Sequence, residues 1–300
     1  MLCDLCPRQC NADRAAGGFG ACGMPELPVV RRLFVHMWEE PPLSGARGSG
    51  AVFFAGCPLR CVYCQNHAIS RMRADEASPP RTVSPERLYA MFRELEARGV
   101  HNINLVSPTH FAAPVARAME YARARGFALP FVWNTGGYER TETLRTLDGL
   151  ADIYLPDLKY ADNALGMRYS GVPDYFDYAA PALIEMRRQI AARGGELLDG
   201  DGLMRRGIIV RHLALPGCRA DSMRALDWFA ANMPDARLSL MAQYFPPAGL
   251  ELPKPLRRRI TTLEYESLIE HCRELGLQNV YVQEPGSAIE DYVPDFGEPM

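Results

Sequence analysis

Three cysteines lie close together in the segment GCPLRCVYCQNH, residues 56–67: Cys57, Cys61 and Cys64. Three neighbouring thiols can form disulfides or bind metal. Disulfide pairing within one loop leaves a thiol over, and a structural zinc site normally has a complete set of protein ligands. Three thiolates instead suit a cubane iron-sulfur cluster whose remaining iron is open to a substrate or cofactor. The loop therefore predicts a [4Fe-4S] cluster.

A second group of cysteines lies near the start of the chain, in CDLCPRQCNADRAAGGFGACG. Its thiols are those of Cys3, Cys6, Cys10 and Cys22, with a glycine-rich link before the last. The segment has few helix or strand signals, so it has little core of its own and would be ordered by a metal. Zinc and an auxiliary iron-sulfur cluster both accept such a set, and reduced surface thiols are the third interpretation.

The composition sets limits on the class of protein. The chain has 300 residues, 48% of them hydrophobic and 23% charged, which is ordinary for a globular protein with a sizeable core. The start of the chain lacks the features of a signal peptide, and no apolar run is long enough to span a membrane. We therefore expect a cytoplasmic protein with reduced thiols and no membrane partner. The net charge of -3 does not favour nucleic acid as a partner.

Short apolar runs rich in β-branched and aromatic residues alternate with helical patterns from about residue 51 onward, which is typical of βα units and a parallel sheet. The predicted strands are 51–57, 102–108, 130–135, 152–158, 207–216 and 238–245, with a shorter run at 280–285. These units are too few to close a full TIM barrel. The sequence therefore predicts an α/β fold, a partial (β/α)6 TIM-like barrel that stays open.

Two of the predicted helices have readable starts. Ser84 precedes one of them as a helix cap, and Thr261 and Glu264 have the spacing of a capping box at the start of another. Cys272 falls on the apolar face of that second helix, so we expect it in the core. We also expect a structural role for Cys218.

The cysteine loop resembles that of a known family. CPLRCVYCQN is similar to the C-x-x-R-C-x-Y-C-H-N loop of the pyruvate formate-lyase activating enzyme branch of the radical S-adenosylmethionine (SAM) superfamily. Tyr63 and Asn66 match this loop, and Gln65 replaces its histidine. The preceding EEPPLSGARGSGAVFFAGC resembles the lead into the cysteine loop of uncharacterised iron-sulfur proteins related to that enzyme. The resemblance extends from residue 36 onward.

This resemblance implies a [4Fe-4S] cluster and SAM as cofactors, with a flavodoxin-like or ferredoxin-like protein as the reducing partner. The open iron is expected to chelate SAM, whose reductive cleavage gives methionine and a 5'-deoxyadenosyl radical that abstracts hydrogen. Together with the N-terminal cysteines, it divides the chain into two expected parts: a cysteine-rich metal-binding segment over 1–35 and the radical SAM barrel over 36–300.

The favoured reaction is hydrogen abstraction from a protein or peptide, as in glycyl-radical activases, because an open-sided barrel leaves room for a macromolecular loop. A radical SAM enzyme acting on a small molecule is the first alternative. A non-catalytic iron-sulfur protein that transfers electrons is the second. Matches to the activating enzyme at the ends of successive strands, at Thr135, Asp157, Lys159 and Pro216, argue against the electron carrier.

The resemblance also assigns SAM contacts to strand ends, while no residue receives a catalytic role. The run LVSPTHF departs from the family's Gly-Gly-Glu segment, so Ser107, Thr109 and His110 are expected to supply polar contacts instead, with a substrate or general-acid role as the alternative for His110. Arg211 and His212 are adjacent on a strand, so at most one points inward, and His212 is preferred. Gln243 and Tyr244 are candidates for the substrate side. The expected SAM contacts are Tyr63, Asn66, Ser107, Thr109, Asn134, Thr135, Asp157, Lys159 and His212.

Overall fold

The computed structural model describes residues 2–74 and 81–283. Within these residues the strands are β1 Val30–His36, β2 Ser49–Phe54, β3 Ile103–Val106, β4 Phe131–Thr135, β5 Ile153–Pro156, β6 Leu197–Leu198, β7 Met204–Leu213, β8 Arg237–Met241 and β9 Val280–Val282. They form one sheet in the order β1-β2-β3-β4-β5-β7-β8-β9, and β6 pairs with β7 beside this path.

The helices are α1 Pro41–Ser44, α2 His67–Ser70, α3 Pro85–Ala97, α4 Ala112–Arg123, α5 Thr141–Arg145, α6 Asn163–Ser170, α7 Tyr175–Ala192, α8 Arg219–Asn232 and α9 Thr262–Glu274, with short 3-10 helices at Thr109–Phe111 and Lys254–Arg257. The longer helices α3, α4, α7, α8 and α9 pack on the outer face of the sheet. Ser84 caps α3 by accepting a hydrogen bond from the Arg87 amide, and Thr261 and Glu264 form the capping box of α9. Both predicted helix starts are confirmed.

All neighbouring strands from β2 to β9 on the main path are parallel, while β1 runs antiparallel to β2. Each predicted strand is present, although residues 284–285 of the last run lie outside the described residues. Among the residues that the structure describes, no ladder joins the edge strands β1 and β9. The predicted partial barrel is confirmed, and it is open between these two edges.

Strand alternation gives the sheet two differently packed faces. The outer face packs against the helices in the largest core cluster, where α3 contributes Leu88, Met91, Phe92 and Leu95. The inner face carries a smaller apolar cluster that includes Leu43, Val132, Leu155 and Ile209. Polar side chains occupy other positions of this inner face, and they form the candidate site described below.

The N-terminal cysteine segment has no helix or strand over residues 2–28. It is held on the barrel by polar contacts to the segments that follow the strands. Arg8 donates from Nε to the Pro58 carbonyl oxygen over 2.8 Å, and Arg14 donates to the His110 carbonyl oxygen over 2.6 Å. The Thr143 hydroxyl donates to the Leu5 carbonyl oxygen over 2.8 Å. The segment thus lies over the carboxyl ends of β2, β3 and β4.

β1 begins inside the predicted N-terminal part and pairs along its length with β2. The division of the chain into parts 1–35 and 36–300 stays a prediction. In the described residues, no helix has the length and apolar character needed to cross a membrane.

Candidate functional site

The three-cysteine loop leaves the carboxyl end of β2 and is anchored by its own backbone. The Arg60 amide donates to the Ser170 carbonyl oxygen, and the Val62 amide donates to the Tyr169 carbonyl oxygen, each over 2.8 Å. Gly56 has a φ of 75°, and a Cβ there would overlap the Met24 side chain of the N-terminal segment. The loop position is therefore set by α6 on one side and by the N-terminal segment on the other.

The three thiols of this loop are electrostatically coupled. Burial raises the pKa of Cys57 and of Cys64, and the neighbouring Cys61 raises both further. Three thiolates in one loop repel one another and need a cationic centre, which is what an iron-sulfur cluster provides. The donor set therefore fits the cluster that the sequence predicts. In residues 2–74 and 81–283, no three His, Cys, Asp or Glu side chains are already arranged to hold one metal ion.

Arg211 is the centre of a buried polar network on the inner face of the barrel. Its guanidinium donates to Asp157 Oδ1 over 3.1 Å and to Asn134 Oδ1 over 2.5 Å, and it lies 3.4 Å from Glu39 Oε2. Lys159 Nζ donates to Asp157 Oδ2 over 2.6 Å. Burial would raise the pKa of Asp157, but Lys159 and Arg211 outweigh it and lower that pKa. Asp157 is therefore held ionised between two cations.

Two further carboxyls reach this network from the loop after β1. Asn104 Nδ2 donates to Glu39 Oε1 over 2.7 Å. Burial raises the pKa of both Glu39 and Glu40, while Arg211 acts in the opposite direction. Both carboxyls are largely buried against the barrel interior.

A polar cavity of about 140 Å³ lies between the cysteine loop and this network. Gln65 and Asn66 line it from the loop, Asn134 and Arg211 line it from the strands, and Gln243 lines it from the end of β8. A neighbouring cleft of about 340 Å³ is lined by the loop after β1 and by residues after β8 and β9, so it lies at the open side of the barrel. A small polar cofactor at the loop would therefore be accessible from that side.

Some of the residues predicted to contact SAM lie at this cavity, whereas others lie elsewhere. Asn66 and Asn134 line it, and Asp157 and Lys159 adjoin it through Arg211. The preference for His212 over Arg211 as the inward residue is not supported, because Arg211 lines the cavity. His212 is buried elsewhere, with Nδ1 2.7 Å from the Leu158 carbonyl oxygen.

Three other residues predicted to contact SAM form hydrogen bonds to protein groups and do not line the cavity. The hydroxyls of Thr109 and Thr135 donate to Oε1 of the buried Glu139 over 2.6 and 2.5 Å. Tyr63 points into a tyrosine cluster, where its hydroxyl lies 2.7 Å from that of Tyr160. Ser107 adopts a φ of 58° at the turn after β3. SAM binding by any of these residues stays a prediction.

Sequence reasoning missed Glu139 altogether. Its side chain is fully buried, and one of its oxygens also accepts from Trp133 Nε1 over 3.2 Å. The other oxygen has no hydrogen-bond partner among the described residues. A glutamate four residues after an outward-facing strand threonine is the only signal, and it is too weak to predict burial.

Comparison with known proteins identifies a domain. Residues 51–189, a little under half of the chain, match the model of the Radical SAM superfamily. The chain contains a radical SAM domain. The family implies a [4Fe-4S] cluster and SAM, and it is a class of enzymes, so the predicted recognition and enzyme class are confirmed at that level.

Two relatives of this chain are described as uncharacterized proteins. Protein MJ0674 of Methanocaldococcus jannaschii is 27% identical over 286 residues, which are 93% of this chain and 76% of the relative. Protein MJ0808 of the same organism is 24% identical over 164 residues, 49% of this chain and 46% of the relative. These similarities name no substrate.

Two solved structures share the fold. SuiB of Streptococcus suis bound to precursor peptide SuiA has a TM-score of 0.52 and 12% identity, covering 76% of this chain and 46% of SuiB. Methylornithine synthase (PylB) has a TM-score of 0.51 and 16% identity, covering 75% of this chain and 60% of the synthase. The radical SAM chain thus spans less than half the length of SuiB. At these identities the likeness shows the fold alone.

Gly137 sets the approach of the loop after β4 to Asp157. It has a φ of 79°, and a Cβ there would overlap the Asp157 carbonyl oxygen and lie 2.9 Å from the Tyr175 hydroxyl. We expect Gly137→Ala to cost more stability than the about 1–2 kcal/mol of a left-handed backbone alone. Gly149→Ala is the control, since Gly149 has a φ of 82° and no atom within 4 Å of its Cβ position. Equal losses of unfolding free energy in the two variants, measured by urea denaturation, would contradict the predicted clash at Gly137.

Glu139 predicts a pH dependence of stability. Burial raises its pKa above the ordinary value of 4.5. Between 4.5 and the raised pKa, the folded state keeps a proton that the unfolded state has lost, so stability falls as pH rises through this window. Glu139→Gln keeps the shape without the titration, so its stability advantage over wild type should grow from acid to neutral pH. Urea denaturation at several pH values measures the difference in unfolding free energy between the variant and wild type. A difference that does not change with pH would refute the prediction.

Glu264 predicts a pH dependence of stability opposite to that of Glu139. Arg258 lowers the pKa of its carboxyl, so the stability it contributes is present above the ordinary pKa and is lost as pH falls through the lowered one. The stability deficit of Glu264→Gln should therefore grow toward neutral pH, in the same titration series.

Proposed function

We propose that this radical SAM protein cleaves SAM reductively at a [4Fe-4S] cluster held by Cys57, Cys61 and Cys64, for hydrogen abstraction. The observation that carries the proposal is the position of this loop, at the carboxyl end of β2 and beside a polar cavity within the barrel. Active sites of parallel α/β barrels are built from the loops at this end.

The residues around the cavity have separable roles in this proposal. The cluster, when bound, would supply the electron that cleaves SAM to methionine and the 5'-deoxyadenosyl radical. Asn66 and Asn134 present amides that would orient the polar groups of SAM, and Lys159 would lie near its carboxylate. Arg211 fixes Asn134 and Asp157 in place through its hydrogen bonds. The burial of this network would exclude water from the reacting groups.

We further propose a protein or peptide as the substrate. The open side between β1 and β9 supports this, because the cleft there includes Met37 and the 65% exposed Trp38 beside the polar cavity. SuiB, which has the same fold, binds a precursor peptide according to its structure. A flavodoxin-like or ferredoxin-like protein of the cytoplasm would supply the electron.

Deuterium transfer tests the substrate class. The reduced, cluster-loaded protein would be incubated with SAM and with size-fractionated extract of cells grown on deuterated medium. Deuterium in the 5'-deoxyadenosine that appears only with the macromolecular fraction is the expected result. Deuterium from the small-molecule fraction alone would overturn the peptide proposal and favour a small-molecule substrate.

The N-terminal thiols are proposed to bind one metal centre, either zinc or an auxiliary iron-sulfur cluster. A Cβ on Gly20 would lie 3.1 Å from Cys22 Sγ and 3.6 Å from Cys10 Sγ, so these two sulfurs flank one small space. Burial raises the pKa of Cys6 to about 12, with a contribution from Cys22. Arg14 Nη1 lies 3.5 Å from Cys3 Sγ, which places a cation beside the set. A metal would stabilise thiolates that burial otherwise opposes.

Metal analysis of Cys6→Ala tests this centre. We expect the variant to lose either zinc or the iron in excess of the barrel cluster, because a ligand of the set is missing. Cys218→Ala is the control, since Cys218 lies in the core beside the tyrosine cluster. Unchanged zinc and iron in Cys6→Ala would rule out the N-terminal centre.

A further inference from the structure

A row of three buried hydroxyls ends at the sulfur of Cys61. Ser170 Oγ lies 3.0 Å from Cys61 Sγ, and the Tyr160 hydroxyl lies 2.9 Å from Ser170 Oγ. The Tyr63 hydroxyl lies 2.7 Å from that of Tyr160. Ser170 is the last residue of α6, Tyr160 follows β5, and Tyr63 belongs to the cysteine loop itself. All three residues are at most 5% exposed.

The state of Cys61 fixes the direction of these hydrogen bonds. A free thiol and a hydroxyl can each donate to the other, so the row has no fixed direction while Cys61 is protonated. A metal-bound thiolate carries no proton and can only accept. Ser170 must then donate to Cys61, so its oxygen accepts from Tyr160, whose oxygen accepts from Tyr63. Each hydroxyl thus donates its single proton toward the sulfur, and bonds aligned in this way strengthen one another.

We propose that Tyr63, Tyr160 and Ser170 form a directional hydrogen-bond relay onto Cys61 that raises the reduction potential of the cluster. This rests on the proposed function, because it requires the cluster at the loop. A hydrogen bond donated to a cluster sulfur withdraws negative charge, which stabilises the reduced state more than the oxidised state. The three residues are positioning residues, since they act on the cluster through Cys61.

The cysteine ligands differ in the hydrogen bonds that their sulfurs receive. Cys64 receives a hydrogen bond from the Ser70 hydroxyl over 3.3 Å, which is longer than the bond to Cys61. Ser70 lies in the short helix α2 beside the loop, whereas the relay reaches through buried side chains of three separate segments. We therefore expect the relay to have the larger effect on the cluster.

The backbone of the loop does not depend on these hydroxyls. The amides of Arg60 and Val62 bind carbonyl oxygens of α6, and neither bond involves a hydroxyl of the relay. The Tyr160 ring also packs edge-on against Tyr175, at 5.3 Å between centroids, and a phenylalanine would keep that contact. Removing one hydroxyl should therefore change the charge at Cys61 without moving the loop.

The test is a potentiometric titration of the reconstituted full chain with dithionite as the one-electron reductant, followed by the electron paramagnetic resonance signal of the reduced cluster. Ser170→Ala and Tyr160→Phe should both shift the midpoint potential to more negative values. The shift should be larger for Ser170→Ala, because that variant removes the donor that touches the sulfur.

Tyr244→Phe is the matched control. The Tyr244 ring stands edge-on to Tyr63, at 6.1 Å between centroids, yet its hydroxyl donates to the Leu256 carbonyl oxygen, outside the relay. The cluster in Tyr244→Phe should have the same midpoint potential as the cluster in the wild-type chain. Unshifted potentials in Ser170→Ala and Tyr160→Phe, even with lowered melting temperatures, would overturn the relay and leave the proposed function intact. A wild-type chain that takes up no cluster would overturn both.

Discussion

Replacement of Cys57 with alanine is expected to abolish cluster binding at the barrel loop. The reconstituted wild-type chain should carry about four irons from this loop, and the variant should carry almost none there. The physical reason is the ligand count: a [4Fe-4S] cluster held by three thiolates would leave one iron without a protein ligand, and loss of another thiolate would expose a second iron to solvent and oxidation. Iron and sulfide analysis after anaerobic reconstitution is the measurement.

Cys272→Ala is the matched control for this loss. Cys272 is buried in α9 within the main core cluster. Its replacement should lower stability through the lost packing while leaving iron content unchanged. Equal iron in Cys57→Ala and wild type would show that the loop holds no cluster.

Replacement of Arg211 with methionine is expected to destabilise the protein by about 3–5 kcal/mol, the range for breaking a buried ion pair on one side. Asp157 would keep only Lys159 as its cation, and Glu39 would lose the guanidinium that lies 3.4 Å from it. Since the penalty comes from carboxylates left without this partner, it should shrink as pH falls and they become protonated. Urea denaturation of the metal-free chain at neutral and acid pH measures both effects.

Arg273→Met is the surface control for this variant. Arg273 pairs with the Glu270 carboxylate over 2.9 Å, and the two side chains are 72% and 60% exposed. Exposed pairs contribute about 0–1 kcal/mol, so the loss of stability should be small. Comparable losses in Arg273→Met and Arg211→Met would contradict the view that the barrel network is a buried, mutually dependent unit.

The barrel strands were predictable because each is a short apolar run followed by a helical pattern. β1 was not predicted, because Arg31 and Arg32 interrupt its apolar character and it is an antiparallel edge strand outside the βα repeat. The cysteine loop could be predicted from the spacing of its cysteines and from its position after a strand. Local sequence thus determined the elements, while an edge strand stabilised by its neighbour was found only in the structure.

The side-chain network was harder to predict, since it depends on which face of a strand points inward. Alternation showed that Arg211 and His212 face opposite sides, but the apolar residues before them are buried on both faces and do not reveal which one is inside. Glu39 and Glu40 reach the interior through a loop whose path no local pattern encodes. Asn134 and Asp157 came together as expected, because the carboxyl ends of parallel strands meet at one edge.

Reductive cleavage of SAM tests the central claim most directly. The anaerobically reconstituted chain, incubated with SAM and dithionite, should form 5'-deoxyadenosine and methionine, and Cys61→Ala should form neither. A wild-type chain that carries its full iron content yet leaves SAM uncleaved would contradict the proposed function and favour an iron-sulfur protein that only transfers electrons.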